Sequence, residues 1–299
     1  IGIATYPNAG KTPESLCKHA DLAMYKAKKG GKLSYCLFTD EMEQTQLHQK
    51  ILEDAVQGAI KNKDFSLVYQ PIYDLVSKNI VGAELLCRWK HKTLGEILPD
   101  EFIPIAENAG LIVDLGHLIF ELAIADIVLL SQSQQQTLWF AINVSIKQFY
   151  GNDFIDLLQS TLEKNALPSS AFEIEISETA FTEETMLYDK TINQLAASGV
   201  RISIDDFGTG NLSLNRLNTL SVSTLKIDQS IIEKIEHSKN DNNMLNTFLN
   251  LAKNMSLLVI AEGVETEKQL DFLKAHDCQY GQGFYFTEPL SFSDFKAIL

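Results

Sequence analysis

The chain has 299 residues, 45% of them hydrophobic, which is enough for one large domain or two small ones with a well-buried core. Its 39 acidic residues outnumber 25 basic ones, giving a net charge of −14 at pH 7, which argues against a nucleic-acid groove that works by neutralising phosphates. The four cysteines lie far apart and form no C-x-x-C pair, so we expect reduced thiols in the cytoplasm rather than a disulfide or zinc framework.

The N-terminal segment, residues 1–38, predicts a strand, a polar loop, a helix that contains ADLAMYKAK (20–28) and a short final strand. It is too small to fold alone. Because the chain opens with Ile1 rather than Met, we expect it to be a piece of a longer protein. A connecting helix is predicted over residues 39–62, and it leads into a larger unit over residues 63–299.

The larger unit alternates strand-like and helix-like segments. An apolar window at 111–130 carries charged residues at roughly helical spacing and therefore predicts an amphipathic packing helix, in which His117 is structural. The alternation favours an α/β barrel, with a doubly wound sheet as the alternative. Eight runs have strand character: 65–72, 80–89, 139–146, 171–177, 201–207, 224–230, 257–264 and 279–286.

Two adjacent aspartates, Asp205 and Asp206, stand where the alternating run VRISI breaks into DDFGTG. Neighbouring side chains on a strand point to opposite faces, so the two carboxylates converge only if the strand ends between them. The glycines at 208 and 210 permit such a turn. An Asx-turn that closes the strand is the alternative interpretation.

Polar side chains recur at the predicted strand ends, where α/β barrels place their chemistry. Each one alone could be a salt bridge or a helix cap. Together they form a set of hard oxygen donors suited to magnesium, manganese or calcium rather than zinc. Lys226 shares a strand face with Asp228, and on a strand covered on both faces its ammonium needs a carboxylate or a metal-bound water nearby. The donors are Glu84, Asn143, Glu175, Asp205, Asp206 and Glu262.

Motifs over residues 48–299 resemble, in order, those of the EAL-domain family of cyclic di-GMP phosphodiesterases. They are YQPI (69–72), ELLCRW (84–89), EFIPIAENAGLI (101–112), INVS (142–145), EIEISET (173–179), DDFGTG (205–210), LKID (225–228), AEGVET (261–266) and YGQGFYF (280–286). The resemblance implies a (β/α)8 TIM-like barrel whose first strand runs antiparallel, and metal-dependent hydrolysis of cyclic di-GMP to linear pGpG.

The same resemblance implies roles for individual residues around two Mg²⁺ or Mn²⁺ ions, with Ca²⁺ inhibitory. One ion would be held by Glu84, Asn143, Glu175 and Asp205, and the second by Asp205, Asp206 and Glu262. Lys226 would orient the attacking water, and Gln282 would act near the second metal. Glu178 and Glu265 would brace the site, while Gln70 and Arg88 would contact the substrate in the same pocket.

Residues 1–38 are similar to the C-terminal end of a GGDEF diguanylate cyclase domain, in IGIA (1–4) and ADLAMYKAK. The resemblance therefore implies a short α+β remnant before the barrel, with GGDEF and sensory domains upstream in the full-length protein. It also implies a homodimer whose packing is coupled to metal binding through the loop at 206–216. We expect a cytoplasmic location, and tethering of a longer chain to the inner membrane stays open.

The chain departs from the family pattern at four positions. Leu85 replaces the alanine of the signature, Cys87 a leucine, Asn211 an aromatic residue and Gln279 an aspartate. None of these is a predicted metal ligand, but Leu85 and Asn211 could alter substrate fit or the loop. Two other functions stay open: a catalytically silent barrel that binds cyclic di-GMP as a receptor, and a magnesium-dependent lyase that uses Lys226 as base or Schiff-base amine.

Overall fold

The computed structural model describes residues 1–29, 35–131, 138–149, 153–210, 212–235 and 239–299. At its N-terminus, strands β1 (Gly2–Ile3) and β2 (Cys36–Leu37) pair in parallel, and helix α1 (Pro13–Lys29) connects them. This is the predicted order of strand, helix and strand. Its assignment to a GGDEF-like domain stays a prediction.

Helix α2 (Asp40–Asn62) is the predicted connecting helix. Acidic residues fill its first turn, which the helix dipole favours, and the left-handed Lys63 (φ 58°) ends it. Leu52, Val56 and Ala59 lie on one face and are buried in the main hydrophobic core. The helix therefore packs against the barrel that follows it.

Eight strands close into a barrel, and β5 extends it as a hairpin partner of β4. The first barrel strand pairs antiparallel with both of its neighbours, β4 and β11, and the remaining neighbours pair in parallel. This closure confirms the predicted barrel and rules out the open doubly wound sheet. The strands are β3 (Phe65–Asp74), β4 (Ile80–His91), β5 (Gly95–Ile97), β6 (Trp139–Asn143), β7 (Phe172–Ser177), β8 (Arg201–Phe207), β9 (Thr224–Ile227), β10 (Leu258–Ala261) and β11 (Tyr280–Gly281).

Helices surround the barrel, and the apolar side chains between helices and strands form one continuous core. Helix α4 agrees with the predicted packing helix to within one residue at each end, and it buries residues along most of its length. Within the described residues, no helix has both the length and the apolar character needed to cross a bilayer. The helices are α3 (Pro99–Asn108), α4 (Ile112–Ser131), α5 (Asp153–Lys164), α6 (Asp189–Ala197), α7 (Leu214–Thr219), α8 (Gln229–Ile232), α9 (Lys239–Asn254), α10 (Glu267–Ala275) and α11 (Phe292–Ile298).

Several strands end earlier than the alternating pattern predicts. β9 stops at Ile227 because the Asp228 side chain caps α8 by accepting from the Ser230 amide at 3.0 Å. β11 stops at Gly281, two residues before Gly283 adopts φ 148°. A side chain at position 283 would approach the Val264 backbone to 2.3 Å, so only glycine fits. These early stops place Asp228 and Gln282 just after the ends of their strands.

Candidate active site

The predicted metal ligands meet at the carboxyl ends of the parallel barrel strands. The six residues come from five of the strands or from the residue just after one, and strand alternation directs most of their side chains into the lumen. Glu84 lies on β4, Asn143 ends β6, Glu175 lies on β7, Asp205 and Asp206 lie near the end of β8, and Glu262 follows β10.

Lys226 lies at the centre of this acidic cluster. Its side chain is fully buried, and its Nζ contacts carboxylates from four parts of the barrel. The distances are 3.0 Å to Glu84 Oε2, 2.8 Å to Glu175 Oε1, 3.1 Å to Asp205 Oδ1 and 2.8 Å to Glu262 Oε1. A buried ammonium is thus compensated by several carboxylates, as the buried strand requires.

Two groups of carboxylates in the described part of the chain have the geometry of a metal site. One contains Glu84, Glu175 and Asp205, and the other contains Asp205, Asp206 and Glu262. Within each group, one oxygen per residue lies within 4.8 Å of the others. Asp205 belongs to both groups, so its carboxylate could bridge two ions.

Glu84 is held in its charged form although it is buried. Burial alone would raise its pKa, but the charge of Lys226 and hydrogen bonds from Gln282 and Asn143 together lower the pKa below the usual value. Gln282 Nε2 donates to Glu84 Oε2 at 2.7 Å, and Asn143 Nδ2 donates to Glu84 Oε1 at 2.8 Å. Asn143 also donates to Glu175 at 3.1 Å, which ties β4, β6 and β7 together.

The other carboxylates of the acidic cluster have too little positive charge near them to keep their pKa values in the usual range. Burial, followed by repulsion from Glu84, raises the pKa of Glu175 well above its usual value in spite of Lys226. Burial likewise raises the pKa of Glu262 strongly and that of Asp205 to about 6. One ammonium cannot neutralise all five carboxylates, so protons or further cations must make up the difference.

Glu178 fixes the loop that follows β8. Its carboxylate is 4% exposed and accepts from the amides of Gly208, Gly210 and Leu212 at 2.7, 3.0 and 3.0 Å. Three amide donors satisfy a buried carboxylate without a cationic partner. Glu178 therefore positions the loop, and through it Asp206, rather than joining the acidic cluster itself.

Gln282 and Gln70 are both buried near the acidic cluster. Gln282 Nε2 also donates to Glu262 at 3.0 Å and so links the two groups of carboxylates. Gln70 lies opposite Glu84 in the ladder between β3 and β4, and its Nε2 donates to the Thr287 carbonyl at 2.6 Å.

Arg88 and Glu265 have their contacts elsewhere. Arg88 Nε is 3.7 Å from Glu96 on β5, and its Nη1 donates to the carbonyl of Cys87. Glu265 is exposed, and its backbone amide donates to Gln269. Sequence spacing could not show this, because the direction of the long Arg88 side chain and the turn of the chain after β10 depend on contacts with other elements.

Leu85, Cys87 and Gln279, three of the four departures from the family pattern, lie away from the acidic cluster. Leu85 and Cys87 are buried on the face of β4 opposite to Glu84, packed in the main core. Burial raises the pKa of the Cys87 thiol to about 12. Gln279 accepts from the Val259 amide at 3.0 Å and so supports the start of β10. Asn211 lies outside the described residues.

Ser177 is a member of the site that the sequence reasoning missed. Its Oγ donates to Asp206 Oδ2 at 3.3 Å and so helps to aim this residue, whose φ is 54°. Ser177 is two residues after Glu175 on the same strand, and this i, i+2 spacing could have indicated it.

Comparison with known proteins places this geometry in a family. A model described as "EAL domain" matches residues 53–289. The chain belongs to the EAL domain family. This EAL domain covers the barrel and the second half of α2.

Relatives of the EAL domain include two proteins of Pseudomonas aeruginosa. MucR, named a bifunctional diguanylate cyclase/cyclic di-GMP phosphodiesterase, is 35% identical over 290 residues, which are 97% of this chain and 42% of MucR. NbdA, named a cyclic di-GMP phosphodiesterase, is 33% identical over 304 residues, covering 100% of this chain and 38% of NbdA. The chain thus spans well under half of the length of these relatives.

A solved structure described as "PaMucR Phosphodiesterase, c-di-GMP complex" has the same fold. It superimposes with a TM-score of 0.77 at 33% sequence identity, over 82% of this chain and 99% of that one.

Proposed function

We propose that this EAL domain hydrolyses cyclic di-GMP to linear pGpG in a metal-dependent reaction. The observation that carries the proposal is the acidic cluster: two carboxylate groups that share Asp205 around the buried Lys226. The names of MucR and NbdA, and the cyclic di-GMP complex of PaMucR, support the choice of substrate.

The acidic cluster fits two hard divalent cations. It offers carboxylate and amide oxygens, and the raised pKa values of its carboxylates reflect uncompensated negative charge that such ions would remove. Glu84, Asn143, Glu175 and Asp205 would hold one ion, and Asp205, Asp206 and Glu262 the other. Two such ions would lower the pKa of a water molecule and stabilise the charge that develops on the phosphodiester.

The remaining residues would control the water and the phosphate. Lys226 Nζ would donate to the attacking water and fix its direction, since it is the buried cation nearest to both carboxylate groups. Gln282, which donates to Glu84 and Glu262, would hold these two carboxylates at their present separation. Glu178 would keep the loop after β8 in place.

Gln70 and Arg88 would contact the substrate from β3 and β4. Arg88 is only weakly paired with Glu96 at 3.7 Å, so its guanidinium is available to a phosphate of the substrate. Glu265 is exposed, so its bracing role rests on the family resemblance alone. The same proposal includes a GGDEF-like origin for residues 1–38 and sensory domains upstream. It also includes a homodimer and a cytoplasmic location.

Product analysis tests the proposed reaction. Purified protein is incubated with cyclic di-GMP and Mg²⁺, Mn²⁺ or Ca²⁺, and nucleotides are separated by chromatography. We expect pGpG with Mg²⁺ or Mn²⁺ and inhibition by Ca²⁺, because its larger radius and looser coordination disturb the spacing of two ions. Full activity in excess EDTA would contradict the metal requirement. Tight binding without turnover would instead indicate a receptor.

A further inference from the structure

The loop between β8 and α7 is attached at both ends to the segment that follows β7. At its start, Glu178 accepts from the loop amides, as described above. At its end, the loop leads into α7, a helix of six residues that contains Arg216. Because so short a helix is not stable by itself, contacts with the rest of the molecule must fix its position.

Arg216 supplies these contacts. Its Nη2 donates to Asp189 Oδ1 at 2.6 Å, and its Nη1 donates to the Thr182 carbonyl. Its guanidinium carbon lies 5.2 Å from the centre of the Phe181 ring. Arg216 is 9% exposed, and these partners all lie within residues 181–189. The planar guanidinium therefore fixes α7 in direction as well as distance.

The C-terminal end of α7 is attached to helix α6. Asn193 on α6 accepts from the Ser221 amide at 2.7 Å and donates to the Thr219 carbonyl at 3.2 Å. Helix α7 is thus held on α6 at both ends, and only the contact through Arg216 is an ion pair. Replacing buried ion pairs by apolar groups often costs little stability, so their main contribution can be to select one arrangement.

We propose that Arg216 is a positioning residue for Asp206. Asp206 lies where β8 passes into this loop, and its backbone is left-handed at φ 54°, a conformation that aspartate keeps only when its surroundings hold it. Arg216 and Glu178 hold the loop from its two ends, and the carboxylate of Asp206 then faces Asp205 and Glu262. The inference rests on the proposed function, because it concerns Asp206 as a ligand of the second cation.

The test uses Arg216→Met and the milder Asp189→Asn, each removing one partner of the ion pair. Mn²⁺ binding is measured by calorimetry, and hydrogen exchange is followed at the amides of Gly208, Gly210 and Leu212. We expect the affinity for one of the two Mn²⁺ equivalents to fall by about 10-fold or more, which is the effect of substituting other residues that orient metal ligands. The other equivalent should be unchanged, and the three amides should exchange faster.

The matched control is Arg201→Met, which removes another guanidinium at the opposite end of the barrel. Arg201 Nε lies 2.8 Å from Glu173, and its guanidinium covers the Trp139 ring at 4.2 Å. This variant should lower the melting temperature but leave both Mn²⁺ equivalents and the exchange of the three amides as in the wild type. The comparison separates positioning of Asp206 from general stability.

Four results would overturn the inference. Arg216→Met could bind both Mn²⁺ equivalents as tightly as the wild type and show equally slow exchange of the three amides. Alternatively, Arg201→Met could bind one Mn²⁺ equivalent as weakly as is expected of Arg216→Met. If Arg216→Met does not fold, unchanged Mn²⁺ binding in Asp189→Asn has the same meaning. A wild type that binds two Mn²⁺ but leaves cyclic di-GMP intact would overturn only the proposed hydrolysis. A wild type that binds no Mn²⁺ would overturn both.

Discussion

Lys226 is fully buried among carboxylates from four parts of the barrel, and removal of its charge would leave these groups facing one another. Burial opposes its charged form, but Asp205, Glu175, Glu262 and Glu84 together raise its pKa well above the usual value. Lys226 is therefore an ammonium at neutral pH. In this form it can donate a hydrogen bond to a water molecule.

The variant Lys226→Ala should bind metal and cyclic di-GMP within roughly tenfold of the wild type but turn over on the order of 10²-fold more slowly or worse. Asp205→Asn should instead weaken metal binding itself, because the shared charge is lost. Calorimetry and a product assay measure the two effects. Lys253→Ala, which breaks an exposed pair with Asp277 at 3.0 Å, is the control and should keep wild-type turnover. If Lys226→Ala turns over near the wild-type rate, Lys226 has no part in the mechanism.

Cys278 should make the protein less stable at alkaline pH. Burial raises the pKa of its thiol to about 12, whereas a thiol in the unfolded chain ionises near about 8.5. Between these values the unfolded chain has lost a proton that the folded chain keeps. The free energy of unfolding should therefore fall as pH rises, by about 1.4 kcal/mol per pH unit for this thiol.

Urea unfolding of Cys278→Ala between pH 8 and pH 10.5 measures this contribution. The variant should show a shallower decline than the wild type, while Cys17→Ala, at an exposed position on α1, should show the full decline. Identical declines in the wild type and Cys278→Ala would show that the buried thiol does not contribute. Cys87, whose pKa is also raised to about 12, should behave like Cys278.

At the scale of single elements, strand positions could be predicted better than strand ends. The runs that became β7 and β8 are dominated by alternating apolar residues, so their own sequence determines them. β9 ends at the local Asp228 cap, whereas β10 and β11 are followed by the left-handed Gly263 and Gly283, which approach residues distant in sequence. The antiparallel direction of β3 came from the resemblance alone, because alternation is the same in both directions.

The segment 183–188 and α7, which Arg216 links, both present exposed apolar side chains. Leu187 is 67% and Leu214 is 56% exposed, and α7 follows the loop that carries Asp206. If the proposed dimer forms here, Leu187→Glu or Leu214→Glu should shift the mass found by light scattering toward the monomer and weaken the second Mn²⁺ equivalent. A charge placed in an apolar contact opposes association.

Val76→Glu is the control for this dimer prediction, because Val76 is 85% exposed in the turn between β3 and β4. It should leave the mass unchanged. A wild type that is monomeric at all accessible concentrations, yet turns over normally, would contradict the coupling of dimer packing to metal binding.

The whole molecule should gain stability when cations enter the acidic cluster. A ligand at 100 times its dissociation constant adds about 2.7 kcal/mol, so saturating Mn²⁺ should raise the melting temperature by about 5 °C or more relative to EDTA. The double variant Asp205→Asn, Glu262→Gln should lose most of this shift, since it removes charge from both groups. An equal melting temperature of the wild type in Mn²⁺ and EDTA would argue against tight metal binding.

The barrel and most of the acidic cluster could be predicted because both follow from strand period and strand order. The direction of individual side chains beyond the strand ends could not. Glu178 binds three loop amides and Glu265 points to solvent, although both lie in similar acidic motifs after a strand. Arg216 was also missed, because its partner Asp189 is brought near it only by the packing of α7 on α6.

The antiparallel first strand also decides where the preceding chain meets the barrel. Phe65, at the start of β3, pairs with Trp89 near the carboxyl end of β4, on the side of the acidic cluster. In an all-parallel barrel, a helix such as α2 would deliver the chain to the opposite face. Here the helix ends at Asn62, and a short piece of β3 leads from there to Gln70, opposite Glu84. The end of α2 is therefore joined to Gln70, the neighbour of Glu84 in the sheet, by only a short piece of one strand.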